Sequence, residues 1–200
     1  MGPTTKGIPV EAVDEGNLSP LPPPRPRQGF VIRAARPGDA RSFLEMWEQV
    51  VAERVYVRSD TVRQSARFYR RRLRDSWTED HASLVAVSGD RVIGHLEVSR
   101  EEGPITRHVA SIGMAVAHDW RGRGVGRELM AECIRWAASA GVEKLALTVY
   151  PHNEPARALY ARFGFVEEGR LTGHSHKAAG YFDEIVMGKW LVERPPLQDG

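Results

Sequence analysis

The chain has 200 residues, 42% of them apolar and 27% charged, with a formal net charge of +2. That length and apolar content suit one globular domain with loose ends, and a charge so close to zero makes no electrostatic case for nucleic acid. A single cysteine, Cys133, excludes an internal disulfide framework and a thiolate metal site, and no apolar run approaches the ~20 residues of a membrane helix.

Residues 1–29 read as a disordered or leader tail. GNLSPLPPPRPRQG is rich in proline and poor in large apolar side chains, so ordering it gains little; a polyproline ligand for another protein is the other reading. No hydrophobic signal segment leads the chain, and a cytoplasmic protein is expected. GFVIRAA reads as a first strand. Ala40, Phe43, Leu44, Trp47, Val50 and Val51 then recur at helical spacing. A second helix is expected over about 60–75, with Arg70, Arg71, Arg72 and Arg74 as a solvated basic face. SLVAVS and RVIGHLEVS read as strands joined by a tight turn at Gly89 and Asp90, and HVASIGMAV as a further strand.

After RGRGVG (121–126) a helix is expected to Ser139. Val125, Leu129, Met130, Cys133, Ile134 and Ala137 form its apolar stripe, with Arg127, Glu128, Glu132 and Arg135 on the wet side. Gly141 ends it. KLALTVY is apolar almost throughout and reads as an interior strand. Asn153 can cap the next helix, which ends at Gly164; FGFVEEG and YFDEIVMGKWL supply the last strands. The order is that of a mixed α+β sheet with helices packed on it. TGHSHKAAG (172–180) reads as a mobile loop over the substrate, and 192–200 as a second tail. His174 and His176 are two ligands without further partners, too few for a metal site, and no metal is expected.

RGRGVG poses a chemical question. A helix N-terminus presents unpaired N–H groups and partial positive charge, and glycines let the backbone approach an anion closely. A phosphate cradle and a simple turn are both consistent with six residues. The dinucleotide fingerprint and the Walker loop are excluded by spacing and by the absence of Gly-Lys-Ser/Thr.

Arg121, Gly124 and Gly126 match the Arg/Gln-x-x-Gly-x-Gly/Ala signature, and NEPARALYARFGF follows at a familiar distance with Asn153, Ala156, Leu159, Tyr160, Gly164 and Phe165. In these motifs the chain resembles the GCN5-related N-acetyltransferase (GNAT) family, over about 31–191. HVASIGMAV and GYFDEIVMGKW look closest to its small-molecule and L-amino acid branch. The resemblance implies a central mixed sheet, splayed between its fourth and fifth strands, with helices on both faces and acetyl-CoA as cosubstrate. The implied domain runs over 30–191.

The resemblance also implies roles. Main-chain groups of Met114, Ala115 and Val116 would face the pantetheine arm, and the amides of Arg121, Gly122, Arg123, Gly124, Val125 and Gly126 the pyrophosphate. A backbone N–H near Val116 would meet the oxyanion. Asn153 is a cap, a contact for the cofactor arm, or both. Tyr160 would place its hydroxyl to protonate the departing thiolate. Cys133, on an apolar stripe, reads as core.

For the general base the resemblance decides nothing. Glu97 shares a strand face with His95, opposite Leu96, and is the first candidate; it could equally face solvent. His108 and Ser111 are weaker candidates, and His118 lines a loop. Asp183, with Tyr181, orients a substrate amine or holds a loop. Trp190 is core or interface, since family members are often homodimers.

The implied function is transfer of an acetyl group from acetyl-CoA to a primary amine of a small molecule, such as an L-amino acid, by direct attack through a tetrahedral intermediate. Protein N-terminal or lysine acetylation, and a non-catalytic acyl-CoA-binding domain, are the alternatives. No nucleic acid or membrane partner is expected.

Overall fold

A computed structural model describes residues 29–193 and 196. Apart from Gly29, the N-terminal tail lies outside the described residues, as does most of 192–200. Seven strands form one sheet: β1 (Val31–Ala34), β2 (His81–Ser88), β3 (Arg91–Arg100), β4 (Val109–Val116), β5 (Lys144–Val149), β6 (Val166–Lys177) and β7 (Gly180–Trp190). Their order is β1-β2-β3-β4-β5-β7-β6. The helices are α1 (Ala40–Ala52), α2 (Ala66–Arg72), α3 (Val125–Ser139) and α4 (Glu154–Arg162). This is the mixed α+β architecture the sequence implies, with β5 in the interior.

Alternation along the strands divides the apolar residues between two cores. On one face Leu129, Met130, Cys133 and Trp136 of α3 and Tyr160 of α4 pack on Leu96, Val98, Ala110, Leu145, Leu147 and Ile185. On the other, Phe43, Met46 and Val50 of α1 and Leu73 after α2 pack on Val85, Val87, Val92 and Ala115. Helical phase brings Met46 into this second core ahead of Leu44 and Trp47, which are only half-buried. On α3, Trp136 is fully buried and its indole N–H donates to the Thr78 carbonyl at 2.9 Å. Glu132, expected on the wet side, is buried and paired with Arg135.

The first turn of α3 lies directly on β3 at Gly94, where a Cβ would come within 2.9 Å of Val125 Cγ1. The helix closes as expected at Gly141, with Val142 N–H donating to the Ala137 carbonyl and Gly141 N–H to that of Ala138.

Two expectations are corrected. The second helix is shorter than 60–75: Ser65 caps it and it runs only from Ala66 to Arg72, followed by a tight turn to Asp75. Residues 53–65 carry no apolar periodicity to hold a helix and cross the sheet as an irregular segment. The expected loop at 172–180 is mostly strand, since β6 continues to Lys177 and only Ala178 and Ala179 make the turn to β7.

Candidate active site

The sheet is antiparallel except between β4 and β5. That parallel pairing holds for three pairs, Val109↔Lys144, Ala110↔Leu145 and Ser111↔Ala146. Beyond it, Ile112–Val116 stays in register with β3 alone and Leu147–Val149 with β7 alone. The two strands therefore part over the stretch holding Met114, Ala115 and Val116, leaving backbone groups of both open to an extended ligand. The splay implied by the resemblance is present.

The splay ends at RGRGVG. Gly122 (φ 71°) and Gly124 (φ 85°) adopt the left-handed backbone, and Gly124 is the N-cap of α3. Among the described residues no carbonyl accepts from the amides of Gly122, Arg123, Gly124, Val125 or Gly126; the first bond of the helix is Glu128 N–H to Gly124 at 3.1 Å. These orphan donors at a helix N-terminus form a cradle suited to a pyrophosphate. The run starts one residue later than expected, because the Arg121 amide donates to the His118 carbonyl at 3.1 Å. The Arg121 side chain is also engaged: Nε donates to the Val116 carbonyl at 3.0 Å, and both Nη atoms meet the Glu53 carboxylate at 2.7 and 2.9 Å. Arg123 lies over the Trp120 ring.

Tyr160 projects from α4 into the α3-side core beside Phe165 and is only 7% exposed. Its hydroxyl has no hydrogen-bond partner among the described residues, and burial pushes its pKa up to about 12. It is a protonated donor at neutral pH. Asn153 performs the capping role, its Oδ1 accepting from Ala156 N–H at 3.3 Å. Cys133 is fully buried and burial pushes its thiol up, so it is a core residue with no accessible thiolate.

On the α1–α2 face, Glu97 stands opposite Gly113 of β4, where a Cβ would meet nothing within 4 Å. That face is open beside the splay. Burial works to raise the Glu97 pKa, but the hydrogen bond with His81 and the charges of Arg72 and His95 outweigh it and hold the carboxyl at about 2. His81 Nε2 lies 3.1 Å from Oε1, and Arg72 donates to the same oxygen. Oε2 has no partner among the described residues. His95, against Phe43 and hydrogen-bonded to Ser83 Oγ at 2.9 Å, is lowered to about 4 by burial.

The other base candidates separate. Ser111 is exposed at the last paired position of β4. The His108 ring stacks on Trp190, placing it at the closed end of the β4–β5 pair and away from the splay. His118 sits exposed in the turn before the cradle.

Tyr181 and Asp183 do not join this face. They share strand parity with Ile185 and Met187, which enter the α3-side core. The Asp183 carboxylate accepts from Gly173 N–H at 2.7 Å and Arg170 Nε at 2.9 Å, so it ties down a bulge in β6. Tyr181 is 73% exposed and stacks on His176.

The acid of β7 on the α1–α2 face is Glu184, which the sequence reading passed over. It is buried, accepts from Ser175 Oγ, and pairs with Arg58 of the 53–65 segment at 3.0 Å. The parity of Ile185 and Met187 was the signal that could have identified it. That segment is pinned elsewhere too. The Lys177 ammonium donates to the carbonyls of Arg54 and Val57 at 3.3 and 2.6 Å, and His152 Nε2 lies 3.1 Å from the Val55 carbonyl.

Three known proteins bear on this arrangement, alongside a family model. The model for the acetyltransferase (GNAT) family matches residues 45–165. L-amino acid N-acetyltransferase AaaT of Escherichia coli (strain K12) is 34% identical over 110 residues, 53% of this chain and 66% of its own length. The putative phosphinothricin acetyltransferase YwnH of Bacillus subtilis (strain 168) is 28% identical over 88 residues, 44% of this chain and 54% of its own. The chain thus matches about half to two thirds of the length of these curated relatives. The solved structure of yncA from Salmonella typhimurium, a putative acetyltransferase with its cofactor acetyl-CoA, is similar at a TM-score of 0.76 and 17% identity, over 86% of this chain and 99% of that one. At that identity the likeness is one of fold.

Proposed function

Because the chain belongs to the GNAT acetyltransferase family, we propose that it is an enzyme transferring acetyl from acetyl-CoA to a primary amine of a small molecule, with L-amino acids as the favoured class. The observation that carries this reading is the β4–β5 splay running into the amide cradle at the start of α3. The amino acid preference draws on the similarity to the E. coli enzyme.

When bound, acetyl-CoA supplies an activated thioester. In this reading the amides of Gly122–Gly126 hold its pyrophosphate. The open edge of Met114, Ala115 and Val116 pairs with its arm, and Asn153 lines the arm's far side. An amide near Val116 meets the oxyanion. Tyr160 donates a hydrogen bond at the sulfur. Its raised pKa lies well above that of an ordinary thiol, about 8.5, so it stabilises the departing thiolate by hydrogen bonding before any full proton transfer. Glu97 receives the ammonium proton through its open Oε2. It is a weak base at its low pKa, because the His81 Nε2–H beside it donates to Oε1 and helps to hold the carboxylate ionised.

Thiol release from acetyl-CoA, measured against a panel of L-amino acids, polyamines, aminoglycosides and short peptides, tests the proposal. Release above a no-amine control with amino acids supports it; release with peptides alone replaces the substrate class. No release, with acetyl-CoA binding intact by calorimetry, favours a non-catalytic acyl-CoA-binding domain.

A further inference from the structure

We propose that Arg58 reads a carboxylate on the amine substrate and that buried Glu184 aims it. The proposal rests on the reading above, that the site acetylates a small primary amine.

Arg58 comes from the irregular 53–65 segment, yet its side chain crosses to β5 and β7. Its Nη2 donates to Thr148 Oγ1 and meets Glu184 Oε2 at 3.0 Å. Thr148 lies two residues past Ala146, the last residue of β5 paired with β4, so the guanidinium stands at the rim of the splay. Glu184 is 1% exposed. A carboxylate so buried stays ionised only if its partners hold it, and here Ser175, Thr148 and Arg58 do so against the cost of burial. Arg58 is therefore held at Nη2, by its hydrogen bond to Thr148 and by the ion pair with Glu184, whose Oε2 has no hydrogen-bond partner among the described residues.

The rest of the guanidinium is unused. Its side chain is 60% exposed, and Nε and Nη1 meet no acceptor among the described residues. A guanidinium anchored at one nitrogen with its other N–H donors free is the usual protein answer to a carboxylate. The surroundings agree in sign. The carboxylates beside the splay, Glu97 and Glu184, each already carry an arginine, Arg72 and Arg58. Lys177 adds a further cation to the same wall, over the Tyr150 and Phe182 rings. Such a wall does not select a polycation such as a polyamine or aminoglycoside. It suits an amine that brings its own negative group.

The test compares three substrates on the intact protein: the best amino acid from the panel, its carboxamide, and the corresponding decarboxylated amine. Capping the carboxylate makes the amine easier to deprotonate, so a preference for the free acid cannot arise from amine reactivity. One charge-assisted contact predicts that wild type favours the acid by about tenfold to a hundredfold in kcat/KM. Arg58→Gln should raise KM for the acid relative to the carboxamide by the same factor and abolish the preference, whatever loss the stranded Glu184 imposes on all substrates alike. Arg58→Lys should keep part of the preference. Equal use of acid and carboxamide by wild type overturns the proposal without any variant having to fold. So does an Arg58→Gln loss that is the same for all three substrates. Both outcomes leave acetyl transfer standing. Wild type that releases no more thiol with any amine than in the no-amine control removes the function reading and this proposal together.

Discussion

In the proposed reaction single side chains carry the chemistry, and Tyr160 is the sharpest case. It combines deep burial, a free hydroxyl and a raised pKa. Tyr160→Phe keeps the ring packed against Phe165 and removes only the donor. Steady-state kinetics should show kcat lowered about a hundredfold with the KM for acetyl-CoA little changed, in line with a positioned acid. The place of Tyr160 on α4 was legible because its motif and its helix spacing agree. Which acid of β7 faces the α1–α2 side was not legible, since Asp183 and Glu184 are neighbours in GYFDEIVM and strand parity sends them to opposite faces. Asp183 holds the β6 bulge, while Glu184 pairs with Arg58 on the other face.

Elements position the unpaired amides at the start of α3. The helix at RGRGVG could be read in advance because helix initiation is local chemistry, although α3 starts at Val125, inside the stretch rather than after it. The 53–65 segment could not. Its place is set by contacts to residues far along the chain, Glu53 to Arg121, Arg58 to Thr148 and Val57 to Lys177, and no periodicity announces them. The seat of α3 on β3 at Gly94 gives an element-scale prediction. Gly94→Val would drive side-chain atoms into Val125 and Leu129, in the first turn of the helix that presents the cradle. Overpacking of this kind costs about 1–3 kcal/mol. Thermal melts should show that loss, and acetyl-CoA affinity measured by calorimetry should fall with it, although residue 94 is not part of the cradle.

For the whole molecule, the α1–α2 face makes stability depend on acid. His95 titrates at about 4 in the folded chain against an ordinary 6.5, so its contribution is fully present above pH 6.5 and is lost as pH falls toward 4. Glu97 follows lower down, its contribution present above about 4.5 and lost toward 2. Both groups are depressed, so both act in the same direction. The melting temperature should decline in two stages below pH 6.5, the first worth roughly 3 kcal/mol. His95→Gln should flatten the first stage and spare the second. A melting temperature constant from pH 7 to 4 would contradict this.

The seven strands amount to two antiparallel ribbons, β1 to β4 and β5 with β7 and β6, stitched by three parallel rungs and spanned by the α3-side core. A ligand lying along the parted strands would then complete the weave and share in the cooperativity of the fold. Amide hydrogen exchange should register this as slowed exchange at Ile112–Val116 and Leu147–Tyr150 once acetyl-CoA is added, while β2 and β3, already fully laddered, change little. Occupancy would be recorded in the backbone of the sheet before any acetyl group has moved.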